Sequence, residues 1–168
     1  MTRQRTGTMP SVTDDPWLDE TEQLAWRKYL RVHRQLFAHL VLHQQREFGL
    51  SAADYEIMVN LSEAPRGRMR AFELGESTLW EKSRLSHHLK RMEQRGLVCR
   101  EATGNSRSPD ILLTDAGRAA ITEAAPAHAA HVRAWFTEVL GPERLAVLAE
   151  SSDAVLAALE SHDCPLSE

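Results

Sequence analysis

The sequence predicts a mostly α-helical chain with one β-hairpin, and three observations predict it. Apolar residues recur at helical spacing over most of the length, and clear period-2 alternation is rare. A short stretch near the middle breaks this pattern, with apolar runs Leu97-Val98-Cys99 and Ile111-Leu112-Leu113 flanking Gly, Asn, Ser and Pro. A basic block also sits inside an acidic chain. The 168 residues hold 20 basic and 24 acidic side chains, yet 66–107 alone carries ten Lys or Arg against five Asp or Glu, or +5. That leaves ten basic and nineteen acidic residues elsewhere, or −9. Such a block is either a footprint for a polyanion or a solvated charged face.

Residues 1–15 are polar and lack the apolar centre of a secretory signal, which predicts a disordered cytoplasmic tail. The first helix is expected from Pro16 to Phe48, within a dimerisation segment 16–50, and carries Trp26, Tyr29, Leu30, His33, Phe37, Leu40 and Val41 at helical spacing. Gly49 stops it. Ser51 caps a second helix with Asp54 in its first turn and Tyr55, Met58, Val59 and Leu61 on its apolar face. It ends before Pro65. A basic loop covers 66–70. A short third helix follows over 71–78, with Phe72 and Leu74 turned inward. After a turn at Leu79 and Trp80, a fourth helix runs over 82–95 and buries Leu85, Leu89 and Met92. Gly96 closes it. The hairpin comes next, with a basic tip at Arg107. Thr114-Asp115 caps a fifth helix that continues to about Leu140, kinked at Pro126. Gly141-Pro142 then opens a sixth helix with Leu145, Leu148, Val155, Leu156 and Leu159 on its apolar face. The last residues, 163–168, are a tail.

Short helix, tight turn, helix and two-stranded wing is the order of a winged helix-turn-helix, here over 51–117. It is embedded in a helical dimerisation domain formed by 16–50 and 118–162. The fourth helix buries one stripe and turns Ser83, Arg84, His87, Lys90, Arg91 and Gln94 outward, without a carboxylate. That face offers donors to phosphates and to base edges in a major groove. Arg107 suits an adjacent minor groove, where negative potential favours Arg. The apolar stripes on the first, fifth and sixth helices exceed what one small lobe buries. Their surplus predicts a homodimer.

The run Trp80-Glu-Lys-Ser-Arg-Leu-Ser-His-His-Leu-Lys-Arg-Met-Glu-Gln-Arg-Gly-Leu-Val98, followed after the hairpin by Leu113-Thr114-Asp115-Ala116-Gly117, resembles the multiple-antibiotic-resistance regulator (MarR) family. With the flanking helices, the resemblance covers about Gln23 to Leu159. It implies a dimeric transcription regulator, most often a repressor, binding a pseudo-palindromic double-stranded operator. Ser83, Arg84, Ser86 and His87 would occupy the base-reading half of the recognition helix. Lys90, Arg91 and Gln94 would lie farther along it, and Arg107 would be the wing arginine. It also implies a small aromatic or phenolic effector, for which Trp26, His33 and Tyr55 are the candidate contacts. Three positions depart from the family pattern: Asn105 where the wing has Asp, Leu79 where the turn often has Gly, and Gly75 where Ala is usual.

The bland readings compete at several residues. Trp26, Tyr29, His33, Phe37, Tyr55 and Trp80 are at a spacing that also makes plain core. His39, His43 and Glu47 share one face of the first helix at a spacing that suits a metal. The scatter of His33, His128 and His131 favours solvated or dimer-packing histidines, so neither metal nor cofactor is expected. His88 reads as a flank of the fourth helix, and Cys99 as a small strand residue without the access that a redox sensor needs. Cys99 and Cys164 make no disulfide framework, which fits a reducing compartment. No apolar run is long enough for a transmembrane helix. No Gly-x-Ser-x-Gly, Gly-rich phosphate loop or Cys-x-x-Cys points to an enzyme. The alternatives are a metal- or redox-responsive regulator of the same fold and a helical adaptor that binds no DNA.

Overall fold

The computed structural model describes residues 17–102 and 109–161, so the tails, the hairpin turn, Asn105, Arg107 and Cys164 lie outside the described residues. The chain divides into two compact units, Met1–Ala38 and His39–Glu168. The first contains the start of helix α1 (Glu20–Phe48). The helix begins four residues later than Pro16 because Asp19 and Glu22 cap it reciprocally. The Asp19 N–H donates to Glu22 Oε2 at 2.9 Å, and the Glu22 N–H donates to Asp19 Oδ1 at 2.8 Å. Along this stretch the rings of Trp26, Tyr29, His33 and Phe37 form a continuous track, with successive centroids 5.7, 6.2 and 4.7 Å apart. Trp26, Tyr29 and Phe37 are exposed.

In the second unit α1 ends at Phe48, and Gly49 takes a positive φ of 65°. Ser51 caps α2 (Ala52–Glu63) in a reciprocal box with Asp54. The core-facing residues of α2 are Ile57, Met58 and Leu61, while Tyr55 and Val59 are only partly buried. A 3₁₀ turn follows at Pro65–Gly67. The expected basic loop then proves to be partly a strand. Here β1 (Arg68–Arg70) pairs antiparallel with β3 (Asp110–Leu113), in register Arg68↔Leu112, Met69↔Ile111 and Arg70↔Asp110. On the other side β3 pairs antiparallel with β2 (Val98–Glu101). The sheet is therefore three-stranded, in the order β1-β3-β2. Arg-Met-Arg is too short and too polar to show a strand period, and its charged side chains suit an edge.

Two further helices, α3 (Ala71–Thr78) and α4 (Lys82–Gln94), complete the helix pair. Leu74 is fully buried, but Phe72 is 56% exposed rather than inward. Leu79 ends α3 in the left-handed region, at φ 53° and ψ 36°, so the turn is made without the usual glycine. The core gathers Ile57, Met58 and Leu61 from α2, Leu85, Leu89 and Met92 from α4, Ile111 and Leu113 from β3, and Ile121 and Ala124 from α5 (Asp115–Val132). The chain stays helical through Pro126 and widens into a π turn at Arg133–Thr137, before α6 (Glu138–Ser161). Gly141, at φ 71° and ψ 167°, kinks α6 at the expected break. No residue of α6 is buried, and Val139, Val147, Val155, Leu156 and Leu159 are exposed. No helix among the described residues is long and apolar enough to cross a membrane.

Candidate nucleic-acid interface

Helix α4 is strongly two-faced. Leu85, His88, Leu89 and Met92 are buried, and Ser83, Arg84, Ser86, His87, Lys90, Arg91 and Gln94 are exposed. At about 100° per residue, Ser83, His87, Lys90 and Gln94 point most directly away from the core, while Arg84 and Arg91 flank them on the His88 side. No carboxylate stands on this exposed face. Glu93 turns aside and pairs with Arg100 on β2 at 3.2 Å. The Arg84 guanidinium lies 4.0 Å from the Trp80 ring centroid, a cation–π contact that holds its plane. Arg84 also draws on Glu56 of α2, whose carboxyl burial nonetheless holds above its ordinary value.

The inner face of α4 carries a polar latch. His88 is 7% exposed, so it is a core residue and not a flank. Its Nε2 lies 3.0 Å from Asp54 Oδ1, and Arg91 Nη2 lies 2.7 Å from its Nδ1. Arg91 can only donate, so Nδ1 accepts and Nε2–H donates to Asp54. The imidazole is thereby set as a neutral tautomer. Burial pushes the His88 pKa below its usual value, with Arg91 and Arg95 in the same direction and Asp54 opposing. Trp80 meets the His88 ring edge-on at 5.5 Å.

Asp54, only 1% exposed, is the hub. Its Oδ2 accepts from the Ser51 N–H at 2.9 Å and from Arg95 Nη1 at 2.7 Å. Burial alone raises its pKa, but the hydrogen bonds from Arg95 and Ser51 and the Arg95 charge outweigh it and leave the carboxyl below its usual value. Arg95 also donates to the Gly49 carbonyl at 3.0 Å. The start of α2 is thus tied to the middle and end of α4.

The far end of α4 is held by the Leu-Thr-x-x-Gly segment. The Thr114 side chain accepts from the Gly117 N–H at 3.0 Å and donates to the Gly96 carbonyl, and the Thr114 N–H donates to the Leu97 carbonyl at 3.2 Å. A Cβ on Gly117 would stand 1.9 Å from the Leu97 carbonyl oxygen, so only glycine admits this approach. At the root of the wing, Arg68 on β1 joins Glu101 and Asp110 at 3.3 and 3.6 Å.

His88, Asp54 and Arg95 are the residues that sequence reasoning missed. A signal existed for His88, which sits three residues after Leu85 and four before Met92. None existed for its pairing with Asp54, 34 positions away, or for the Asp54–Arg95 pair, 41 apart. Of the aromatic candidates, Trp26 and His33 belong to the first unit and Tyr55 to the second. The Tyr55 ring meets that of His128 at 4.6 Å, tilted by 38°, and burial, aided by Glu63, raises its hydroxyl pKa. Cys99 is exposed on β2, against the expectation of restricted access. The histidines are not scattered either, because His131 of α5 joins His43 and Glu47 of α1.

No family model and no curated protein sequence matches the chain. Solved structures do. AbsC, a MarR family transcriptional regulator from Streptomyces coelicolor, is 41% identical with a TM-score of 0.83, over 88% of this chain and 100% of its own. Sco3205, a MarR family transcriptional regulator from the same organism solved in complex with DNA, is 35% identical with a TM-score of 0.84, over 92% and 98%. NadR in complex with 4-hydroxyphenylacetate shares the fold at 21% identity, with a TM-score of 0.64 over 90% and 97%.

Proposed function

Because the chain belongs to the MarR family of transcriptional regulators, we propose that it acts in the cytoplasm as a homodimer, binds a pseudo-palindromic operator in double-stranded DNA, and represses transcription until a small aromatic or phenolic ligand releases it. The single observation that carries the DNA reading is the exposed face of α4, with Ser83, Arg84, Ser86, His87, Lys90, Arg91 and Gln94 and no carboxylate. Ser83, Arg84, Ser86 and His87, nearest the helix start, read base edges, and Lys90, Arg91 and Gln94 reach the flanking backbone. Arg107 would add a wing contact.

The exposed apolar side chains on α1 and α6 support the dimer, since α1 buries only Leu40 and Gln44 and α6 buries nothing within one chain. The open aromatic track on α1, with Trp26 and His33, supports the effector reading. A ligand there would bias the spacing of the two recognition helices, with a coupling of about 1–3 kcal/mol.

The experiment is a fluorescence-anisotropy titration of labelled duplex DNA, paired with light scattering after size exclusion. A dimer whose DNA affinity falls about fivefold or more with a phenolic ligand supports the whole reading. A monomer overturns the dimer. Affinity unchanged across a panel of phenols overturns the effector, and absence of DNA binding overturns the function.

A further inference from the structure

His43 and Glu47 stand one turn apart on α1, with Nδ1 and Oε1 3.0 Å from each other. His131 approaches them from α5, and its ring centroid lies 4.5 Å from that of His43. The potential ligand atoms of the three side chains all lie within 4.8 Å of one another. Trp135 walls the cluster, stacked on His131 at 4.7 Å and 7° and 5.0 Å from His43. Among the described residues the His131 imidazole makes these ring contacts and no hydrogen bond. We propose that His43, Glu47 and His131 bind a divalent transition-metal ion, zinc above all, which ties the end of α1 to α5.

The donor set selects the ion. Two imidazole nitrogens and one carboxylate oxygen suit zinc and its borderline neighbours, whereas magnesium and calcium take oxygen ligands. Bonds of about 2.0–2.1 Å in a tetrahedron place ligand atoms roughly 3.4 Å apart. The His43–Glu47 pair already approaches within that distance, so side-chain torsions need only close the remaining gap to His131. Glu47 is exposed and both histidines are only partly covered, which leaves the ion a path from solvent and a fourth position for water. The flat stack of Trp135 limits rotation of the His131 ring. One face of α1 supplies two ligands and a helix 84 positions later supplies the third, so the site exists only in the folded chain.

The test is a titration of the chelator-stripped full-length protein with zinc chloride against a chromophoric zinc chelator, repeated with Glu47→Gln and His131→Ala. The expected result is one zinc per chain, no competition from millimolar magnesium, visible absorption bands of a four-coordinate site with cobalt, and an affinity at least tenfold weaker in each variant. Glu47 is a surface residue, so Glu47→Gln decides the matter alone if His131→Ala fails to fold by circular dichroism. Absence of stoichiometric zinc binding, or undiminished affinity in Glu47→Gln, overturns the site.

Discussion

Replacing Asp54 with Asn probes the latch that orients α4. The carboxylate accepts three hydrogen bonds, from the Ser51 N–H at 2.9 Å, Arg95 at 2.7 Å and His88 at 3.0 Å. An amide has one oxygen, which can keep the two donors now on Oδ2. Its NH2 group must then face the His88 Nε2–H, donor against donor. The imidazole has no escape through its other tautomer, because Nδ1 accepts from Arg91 at 2.7 Å. A buried donor left unpaired costs about 1–3 kcal/mol. Loss of the charge weakens the Arg95 bond by about 1 kcal/mol more, a modest figure because that side chain is 45% exposed and screened. The expected destabilisation is about 2–4 kcal/mol, read from urea midpoints at pH 7.5, out of the roughly 5–15 kcal/mol that hold a domain. A double-mutant cycle with His88→Ala should show a coupling above about 1 kcal/mol. A loss below about 0.5 kcal/mol, or additive single effects, would refute the latch.

Two glycine-to-alanine changes in helices should move stability in opposite directions by thermal melting. Gly117→Ala must push the Leu97 backbone aside by at least 1.1 Å to reach even a 3.0 Å contact, costing about 3 kcal/mol at the upper end of overpacking. Gly75→Ala meets Trp80 and Leu85 at 3.5 and 3.7 Å, which are ordinary contacts, and should gain about 0.5–1 kcal/mol from the restricted unfolded chain. His88 should make stability pH-dependent. Its folded pKa is lowered, chiefly by burial, so its contribution is complete above about 6.5 and is lost as pH falls through the folded pKa. Urea unfolding should show a slope of up to about 1.4 kcal/mol per pH unit from this group, reduced in His88→Ala, with His128 adding in the same direction; an unchanged slope in the variant would remove His88 from the explanation. In DNA titrations over a salt series, Arg84→Ala should relax discrimination at one base pair per half-site by about tenfold, and Lys90→Ala should weaken all sequences alike and flatten the salt dependence. The reverse pattern would exchange the two roles.

Helix α4 was legible because Leu85, Leu89 and Met92 repeat at one helical face and Gly96 follows them. The caps at Ser51 and Thr114 were legible for the same local reason, since a cap involves neighbours in sequence. What stayed hidden depends on distant partners. Arg-Met-Arg became β1 only because β3 offers it an edge. Phe72 looked like core by residue type, yet Leu74 occupies the inward position on so short a helix. His88 read as a helix flank and Asp54 as a first-turn residue of α2 until folding set them 3.0 Å apart. The reason for glycine at position 117 was invisible too, because the obstacle is the carbonyl of Leu97, twenty residues earlier. On α1, His43 and Glu47 were legible as a pair, while His131 could be placed beside them only by the packing of α5.

The claim that the exposed face of α4 reads DNA is tested most directly by selection from fragmented genomic DNA, followed by sequencing of what binds. The wild-type protein should enrich a pseudo-palindrome whose half-sites lie about one helical turn, 10–10.5 base pairs, apart. A His87→Glu/Lys90→Glu variant changes only exposed positions of that face, so it should fold normally and lose the enrichment. Failure of the wild-type protein to enrich any sequence, or equal enrichment by the variant, would contradict the assignment of α4 as the recognition helix.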